Sequence, residues 1–229
     1  MTNNVTAIGL SVTVLDYWHV GAGAGGAYDL DAVVDKDADG LPRIRGRMLK
    51  GLLRDAVYRA EALGILAVFI DKVGTDIAGQ LFGSDGFGTD NVPREDTKPG
   101  RLRVDDAQLP GGEREVLSQD RYRGIRRGLY RDVFATAIEH ASGAAQSGTL
   151  RGIEAVIPVH LETNVRWIDV PGLVSPSLPV VWPDIIERCL PLVRSVGAHR
   201  SRGFGRAVFA TRRDGGEIEL ASPATESAR

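Results

Sequence analysis

The alternation of apolar residues over positions 153–162 constrains the fold of this chain more than any other feature. Because the side chains of a strand point alternately to opposite faces, such a pattern predicts one continuous strand with a buried face. The N-terminal segment predicts a second half-buried strand, since its apolar residues alternate with Gly9, Ser11 and Thr13. The apolar positions are Ile153, Ala155, Ile157, Val159 and Leu161 in the first strand and Ile8, Leu10, Val12 and Val14 in the second.

Two apolar stripes with helical spacing complete the pattern. One predicts a helix from Gly46 to Leu63, and the other predicts a helix that begins with Pro183 at its first position and kinks at Pro191. Leu102 and Val104 indicate a short strand. The order strand, helix, strands, helix, strand suits an α+β fold with a ferredoxin-like (RRM-like) β-α-β-β-α-β core and insertions. The stripes consist of Leu49, Leu52, Leu53, Ala56, Val57, Ala60 and Leu63, and of Ile185, Ile186, Cys189, Leu190 and Val193.

Three segments fall outside this core. Residues 83–100 have the composition of a loop, residues 111–150 are polar and basic with little periodicity, and residues 221–229 are expected to be a disordered tail. A length of 229 residues permits one elaborated domain or two small ones, and we expect a single domain over residues 1–229.

The distribution of charge is more informative than its sum. The formal net charge is −2, which by itself does not indicate a nucleic-acid binder. Basic residues nevertheless cluster at 43–54, 121–131 and 194–213, and only four of the 28 are lysine. Arginine has a planar fork that suits phosphate, although a GC-rich genome would give the same bias.

The segment 197–206 combines three glycines, three arginines, a histidine and one aromatic residue. Glycines let backbone N–H groups approach a ligand closely, so the segment is typical of a phosphate-binding loop; a solvated turn is the alternative. Arg47, Lys50 and Arg54 form a second basic element on one face of the first helix. Because the helix N-terminus has unpaired N–H groups, this element predicts an anion site, with an ordinary solvated face as the alternative.

Several motifs, in collinear order, resemble those of the RAMP superfamily of CRISPR effector proteins, in particular the repeating backbone subunit of type III complexes. The matching segments are His19–Gly23, Asp31–Asp37 with Gly40–Pro42, Ile44–Gly51, Leu81–Gly83, Val104–Ala107, Ile138–Ala145 and the Gly-Arg loop at 197–206. Three departures stand against this pattern: Arg45 replaces proline, Arg47 and Met48 replace two serines, and Glu139 and His140 replace Asp-Arg.

The resemblance implies an RRM-like fold and a subunit that binds guide RNA and complementary target RNA. It also implies contacts with copies or paralogues of the chain and with other type III subunits, including the large and small subunits. Residues 111–150 match the family's thumb, which kinks the guide–target duplex. The expected RNA contacts are His19, Gly21, Gly23, Arg45, Arg47, Lys50, Arg54, Arg123, Arg126, Arg127, His199, Arg200, Ser201, Arg202, Gly203, Phe204, Gly205 and Arg206. Phe204 is expected either to stack on a base or to fill the core.

The family's backbone subunits cut target RNA with an aspartate in the connection before the first helix. The resemblance places that residue at Asp31, with Asp29 as the rival, and implies a magnesium ion held at Asp31 if the chain is catalytic. Three alternatives stay open: a structural or capping subunit, a stand-alone guide-RNA-processing endoribonuclease, and a nucleotide-binding enzyme, although the glycines at 21–26 precede no Gly-Lys-Ser/Thr.

The remaining composition excludes some classes of site. The single cysteine, Cys189, excludes a disulfide framework and a cysteine-based zinc site. The four histidines lack metal-ligand spacing, and no apolar run is long enough to cross a bilayer. We therefore expect a cytoplasmic protein with no membrane partner.

Overall fold

The computed structural model describes residues 5–23, 30–84, 97–172 and 177–212. Helices and two antiparallel sheets make up this part of the chain, which confirms a mixed fold of the α+β kind. The strands are β1 (Ala7–Val14), β2 (Leu102–Val104), β3 (Tyr130–Ala135), β4 (Arg151–Val156), β5 (Val159–Trp167) and β6 (Ala207–Arg212). The helices are α1 (Gly46–Ala62), α2 (Ala67–Val73), α3 (Ile77–Phe82), α4 (Gly111–Leu117), α5 (Arg123–Arg127) and α6 (Leu178–Cys189).

The main sheet has the strand order β2-β5-β1-β6, and every neighbouring pair is antiparallel. Val12 of β1 lies opposite Leu161 on one side and Phe209 on the other. All three side chains are buried, which shows that the predicted apolar face is the face that forms the core. The elements β1, α1, β2, β5, α6 and β6 follow one another in the order strand, helix, strand, strand, helix, strand.

Helix α1 covers the core face of this sheet with its apolar stripe. Leu49, Leu53 and Val57 are at most 1% exposed, and burying each such side chain contributes about 1.5–3 kcal/mol. Trp182 of α6 is fully buried as well, and its indole N–H donates to the carbonyl of Val5 at 2.9 Å.

The prediction of one continuous strand over residues 153–162 is wrong. The segment is divided between β4, which pairs with β3 in a separate two-stranded sheet, and β5 of the main sheet. Pro158 lies between the two strands and has no N–H to donate to a ladder, so the alternation continues in the sequence while the pairing changes.

The predicted start of the second long helix is also wrong. Helix α6 begins at Leu178, with Pro179 near its start, and Pro183 lies inside the helix. A proline is tolerated in the first turn because the N–H groups there lack acceptors, and Pro179 meets this condition. Pro191 falls in a short 3₁₀ turn over Leu190–Leu192 that directly follows α6.

The predicted insertion at 111–150 contains α4, α5 and β3, and no side chain of the two helices is buried. We call residues 111–156, which include the pairing partner β4, the thumb. Most of the predicted loop at 83–100 and the whole tail at 221–229 lie outside the described residues. No helix in the described ranges has the length and apolar character needed to cross a membrane.

A close approach at the start of α1 fixes how the helix meets β2. A Cβ atom at Gly46 would lie 2.1 Å from the carbonyl oxygen of Val104, whereas a Cβ at Gly51, in the same helix, would meet nothing within 4 Å. Only glycine therefore permits this contact between helix and strand.

We predict that Gly46→Ala lowers the free energy of unfolding by roughly 1–3 kcal/mol, because the methyl group forces the helix away from β2. The matched change Gly51→Ala is expected to raise it by up to about 1 kcal/mol through helix propensity. Urea unfolding monitored by circular dichroism measures both values. Equal effects of the two substitutions would contradict the close approach.

Candidate RNA-binding surface

The Gly-Arg loop docks on the segment that follows β1. The backbone N–H of Ala198 donates to the carbonyl of His19 at 2.8 Å, and the N–H of Gly205 donates to the carbonyl of Tyr17 at 2.8 Å. Two glycines with positive φ, Gly197 and Gly205, allow this approach, since a Cβ on either would lie within 2.2 Å of a carbonyl oxygen. The loop is thus held on this segment by backbone contacts.

The arginines of the loop are divided between two roles. Arg206 pairs with Asp16 at 3.2 Å. Arg200 and Arg202, in the short 3₁₀ turn, are exposed together with Ser201, and their guanidinium groups have no ion pair within the described ranges. Two unpaired cations on an ordered turn are suited to phosphate.

Two histidines and Phe204 form a row of rings beneath the loop. The rings of His19 and His199 are 6.1 Å apart, and those of His199 and Phe204 are 5.9 Å apart. Phe204 is half-buried, so it is neither a full core residue nor a free stacking platform. Burial, with the charges of His19 and Arg202 in support, lowers the pKa of His199 below its ordinary value, so the ring is uncharged at neutral pH.

His19 is 4% exposed, and its Nδ1 donates to the carbonyl of Glu154 at 2.7 Å. The predicted contact of this side chain with RNA therefore lacks an open surface in the free chain. Gly21 and Gly23 are exposed next to it, and a Cβ at Gly21 would lie 3.2 Å from Nε2 of His19. Gly21 also forms a bridge with Val34, which ties the glycine segment to the connection before α1.

The protein's own carboxylates occupy the predicted anion site at the start of α1. The N–H of Gly46 donates to Oδ1 of Asp106 at 2.8 Å, and Arg43 lies 3.4 Å from the other oxygen of the same carboxylate. Arg45, expected to contact RNA, instead pairs with the buried carboxylate of Asp35. An external anion at this helix end would have to compete with both acids.

The other basic residues of α1 differ in exposure. Arg47 is exposed, whereas Lys50 is half-buried, and neither has an ion pair or a side-chain hydrogen bond within the described residues. Burial, supported by the charge of Arg54, lowers the pKa of Lys50 below its ordinary value. Arg54 donates to the carbonyl of Gly83 at 3.2 Å. An anion near Lys50 would relieve the cost of keeping two cations close together.

Two adjoining clefts connect α1 with the Gly-Arg loop. One, of about 470 Å³, includes Arg54, Asp55 and Arg59, and the other, of about 330 Å³, includes Asp55, Arg59, Arg194 and Arg200. Arg59 is held in place by Asp55 at 2.9 Å and by the carbonyl of Leu192. Helix and loop therefore meet through Arg59 and Arg194, which sequence reasoning did not single out.

A third cleft, of about 660 Å³, lies between the thumb and the turn at Lys36–Gly40. Arg123 and Arg127 line it, are exposed and have no hydrogen bond or ion pair in the described part of the chain. Arg126 is committed to the carbonyls of Leu117 and Gln119. The cleft also includes Lys36, Arg131 and the acids Asp39, Asp132 and Glu154. Bases outnumber acids in the lining that the structure describes, which favours a phosphate backbone.

Asp31 is exposed and tied to β4. Its N–H donates to the carbonyl of Gly152 at 2.7 Å, and its Oδ2 accepts from the N–H of Gly152 at 3.0 Å. No group of three or more potential metal ligands occurs within the described ranges. Magnesium often takes only one or two protein carboxylates and completes its shell with substrate oxygens and water, so Asp31 fits as a single ligand and not as part of a protein cage. The rival Asp29 lies outside the described residues.

The chain is similar to known proteins both in its sequence family and in its fold. The family model of the RAMP superfamily matches residues 11–208. A chain of the type III-B Cmr-beta complex in its apo state has a TM-score of 0.60 at 13% identity, and the match covers 91% of this chain and 98% of that one. A chain of the Cmr-beta complex bound to cognate target RNA has the same TM-score and coverage at 11% identity. At these identities the likeness shows the fold alone, and no curated protein matches.

The pairing of Asp35 generates a prediction about pH. The hydrogen bond from Arg45, with the charge of Arg43 in support, holds the pKa of Asp35 below its ordinary value against the opposing effect of burial. A lowered pKa in the folded state contributes stability that is present above the unfolded value near 3.9 and is lost as the pH falls through the folded value.

We expect Asp35→Asn to lower the free energy of unfolding at pH 7 by roughly 1.5–3 kcal/mol, because two arginines lose a charged acceptor. The difference from the wild type should shrink as the pH falls below about 4, where the unfolded state takes up a proton, and should vanish below the lowered pKa of Asp35 in the folded state. Urea unfolding at several pH values tests this, with Asp71→Asn on the exposed face of α2 as the control. A difference that stays constant down to pH 2 would refute the role of this carboxylate.

Proposed function

The chain belongs to the RAMP superfamily, and we propose that it is a guide-RNA-binding backbone subunit of a type III CRISPR effector complex. The observation that carries this proposal is the grouping of unpaired arginines on two rigid supports, the Gly-Arg loop and the thumb. The fold-level likeness to chains of the Cmr-beta complex, one of them in a structure with target RNA, supports the same assignment.

Within this proposal, the main sheet and the helices α1 and α6 form a ferredoxin-like core. Its strand order β2-β5-β1-β6 and its element order strand-helix-strand-strand-helix-strand support that assignment. The thumb is the insertion between β2 and β5, and it projects side chains that the core does not need. A cytoplasmic location follows from the proposed role.

The proposed guide path uses the loop, the α1 clefts and the thumb cleft in turn. Arg200 and Arg202 would contact phosphates at the loop. Arg59 and Lys50 would continue the basic surface along α1. Arg123 and Arg127 would contact the duplex near the thumb. Such contacts recognise the backbone and not the sequence, which suits a subunit that must accept any guide. Other copies of the chain and the large and small subunits of the complex would complete the assembly.

We further propose that Asp31 acts on the target strand. The Oδ2 atom of this carboxylate accepts from the N–H of Gly152, whereas Oδ1 accepts no hydrogen bond within the described residues. Asp31 would hold a magnesium ion, which when bound would neutralise charge on the scissile phosphate. The chain's own contribution is the orientation of this carboxylate by β4. A structural or capping subunit that binds RNA without cutting it is the alternative, and it is favoured because the described ranges contain no group of three or more potential metal ligands. The burial of His19 argues against a stand-alone processing enzyme, which needs an accessible acid–base group.

We predict that the double variants Arg200→Ala/Arg202→Ala and Arg123→Ala/Arg127→Ala each bind RNA more weakly and with a shallower salt dependence. Loss of two phosphate contacts should reduce the slope of log K against log salt by roughly 1.4 for a single strand. Fluorescence anisotropy with a labelled guide RNA at several salt concentrations measures the slope. Lys72→Ala in α2, which lines none of the clefts described above, should leave it unchanged. Slopes equal to the wild type in both variants would exclude the proposed path.

We predict that Asp31→Asn, in the assembled complex, keeps guide and target RNA but loses metal-dependent cleavage at regular spacing. The asparagine Oδ1 can still accept from Gly152, so the position of the loop is preserved while the charge is removed. Removing a metal ligand typically costs several kcal/mol of barrier, and the loss should exceed about a hundredfold. Gel analysis of labelled target RNA gives the rate. If Asp29→Asn abolishes cleavage and Asp31→Asn does not, Asp29 is the catalytic residue. If the wild type binds RNA but never cuts it, the protein is a structural subunit and not a nuclease.

A further inference from the structure

Arg101 is a buried arginine at a point where the backbone is fully fixed. It directly precedes β2 and is 4% exposed. Its N–H donates to the carbonyl of Leu81 at 2.8 Å, and its carbonyl accepts from the N–H of Ile168 at 2.7 Å. The backbone of Arg101 is thus satisfied, and only the guanidinium group is left to be accounted for.

That guanidinium group has no carboxylate partner among the described residues. It lies over the ring of Trp167, 5.6 Å from the ring centre, and its buried Nη1 has no hydrogen-bond partner in the same ranges. No ion pair includes Arg101 in the described part of the chain. A buried charge without a counterion is expensive, and buried polar groups are nearly always hydrogen-bonded. The arginine therefore occupies a position that an anion would stabilise.

A cavity of about 310 Å³ adjoins this arginine. The charged residues of its lining, within the described part of the chain, are Arg101, Lys98 and Asp76. The carboxylate of Asp76 is already engaged, because its Oδ1 accepts from the N–H of Gly79 at 3.0 Å. Gln80 is oriented as well, since its side-chain amide donates to the carbonyls of Val73 and Thr75. Among the residues that the structure describes, the lining therefore has one positive charge in excess.

We propose that this cavity binds a single carboxylate, with Arg101 as its main partner and Lys98 as its second. One negative charge balances the excess, and the planar fork of an arginine matches the two oxygens of a carboxylate. The volume is at the lower end of the range for ligand sites, which suits a carboxylate-bearing side chain or small acid. This site is separate from the proposed RNA path and does not depend on the proposed function.

Titration calorimetry tests the proposal with two probes, N-acetylglycine as a monoanionic carboxylate and inorganic phosphate. At constant ionic strength, set by chloride, we expect saturable binding of N-acetylglycine to one site. Arg101→Lys keeps the charge but loses the fork and should weaken binding about tenfold, while Arg101→Met should abolish it. The matched control is Arg103→Met, two residues further along the chain in β2, where the side chain is 71% exposed; it should bind as the wild type does. Tighter binding of phosphate would overturn the assignment to a carboxylate.

Stability separates a binding role from a packing role. Replacing an unpaired buried charge by an apolar side chain of similar volume is often neutral or stabilising, so Arg101→Met should unfold at a urea concentration no lower than the wild type without probe. N-acetylglycine should then raise the midpoint of the wild type and leave that of Arg101→Met unchanged. If Arg101→Met is strongly destabilised and the wild type binds neither probe, Arg101 serves only to pack against Trp167 and the proposal is wrong.

Discussion

The buried carboxylate of Glu154 is the contact on which the arrangement of the candidate site depends. Its Oε1 pairs with Lys36 at 2.6 Å, its Oε2 accepts from the N–H of Val34 at 3.1 Å, and its backbone carbonyl accepts from His19. Glu154 lies in β4, so the thumb, the connection before α1 and the segment after β1 meet at this one residue. An acid at 9% exposure is tolerable because it has both a charge partner and a backbone donor. Its replacement by an apolar residue would leave Lys36 half-buried without a counterion.

The distribution of acids explains how a chain with a net charge of −2 can present basic surfaces. Asp35 and Asp106, at the start of α1, neutralise Arg43 and Arg45. Arg114 of α4 forms ion pairs with Asp37 and Asp39. Many acidic side chains are therefore used in folding contacts. Arg200 and Arg202 of the Gly-Arg loop and Arg123 and Arg127 of the thumb have no such partners in the described ranges, and the local charge there is positive. Net charge is a poor guide to function in a chain that pairs its acids internally.

Periodicity in the sequence predicted β1 and α1 well, since the helix ends at Ala62 against a predicted Leu63. It failed at Pro158, because alternation reports which side of a strand is buried and not which strand it pairs with. The role of Arg45 was out of reach for a different reason: its partner Asp35 precedes it by ten residues in an irregular connection. Arg59 could have been found from its spacing to Asp55, four residues earlier, but only the folded chain shows that it borders the loop.

His19 connects the two basic surfaces through its backbone and its ring. Its carbonyl accepts from Ala198 of the Gly-Arg loop, and its Nδ1 donates to Glu154 of the thumb strand β4. Asp31 is hydrogen-bonded to the same strand at Gly152, two residues from Glu154. The Asp31 carboxylate and the Gly-Arg loop are therefore both tied to β4, the carboxylate through Gly152 and the loop through His19. A histidine suits this position because its ring reaches the carbonyl of Glu154, which a smaller side chain would leave unpaired. It thereby fixes the distance between the loop that would bind the guide and the carboxylate that would act on the target.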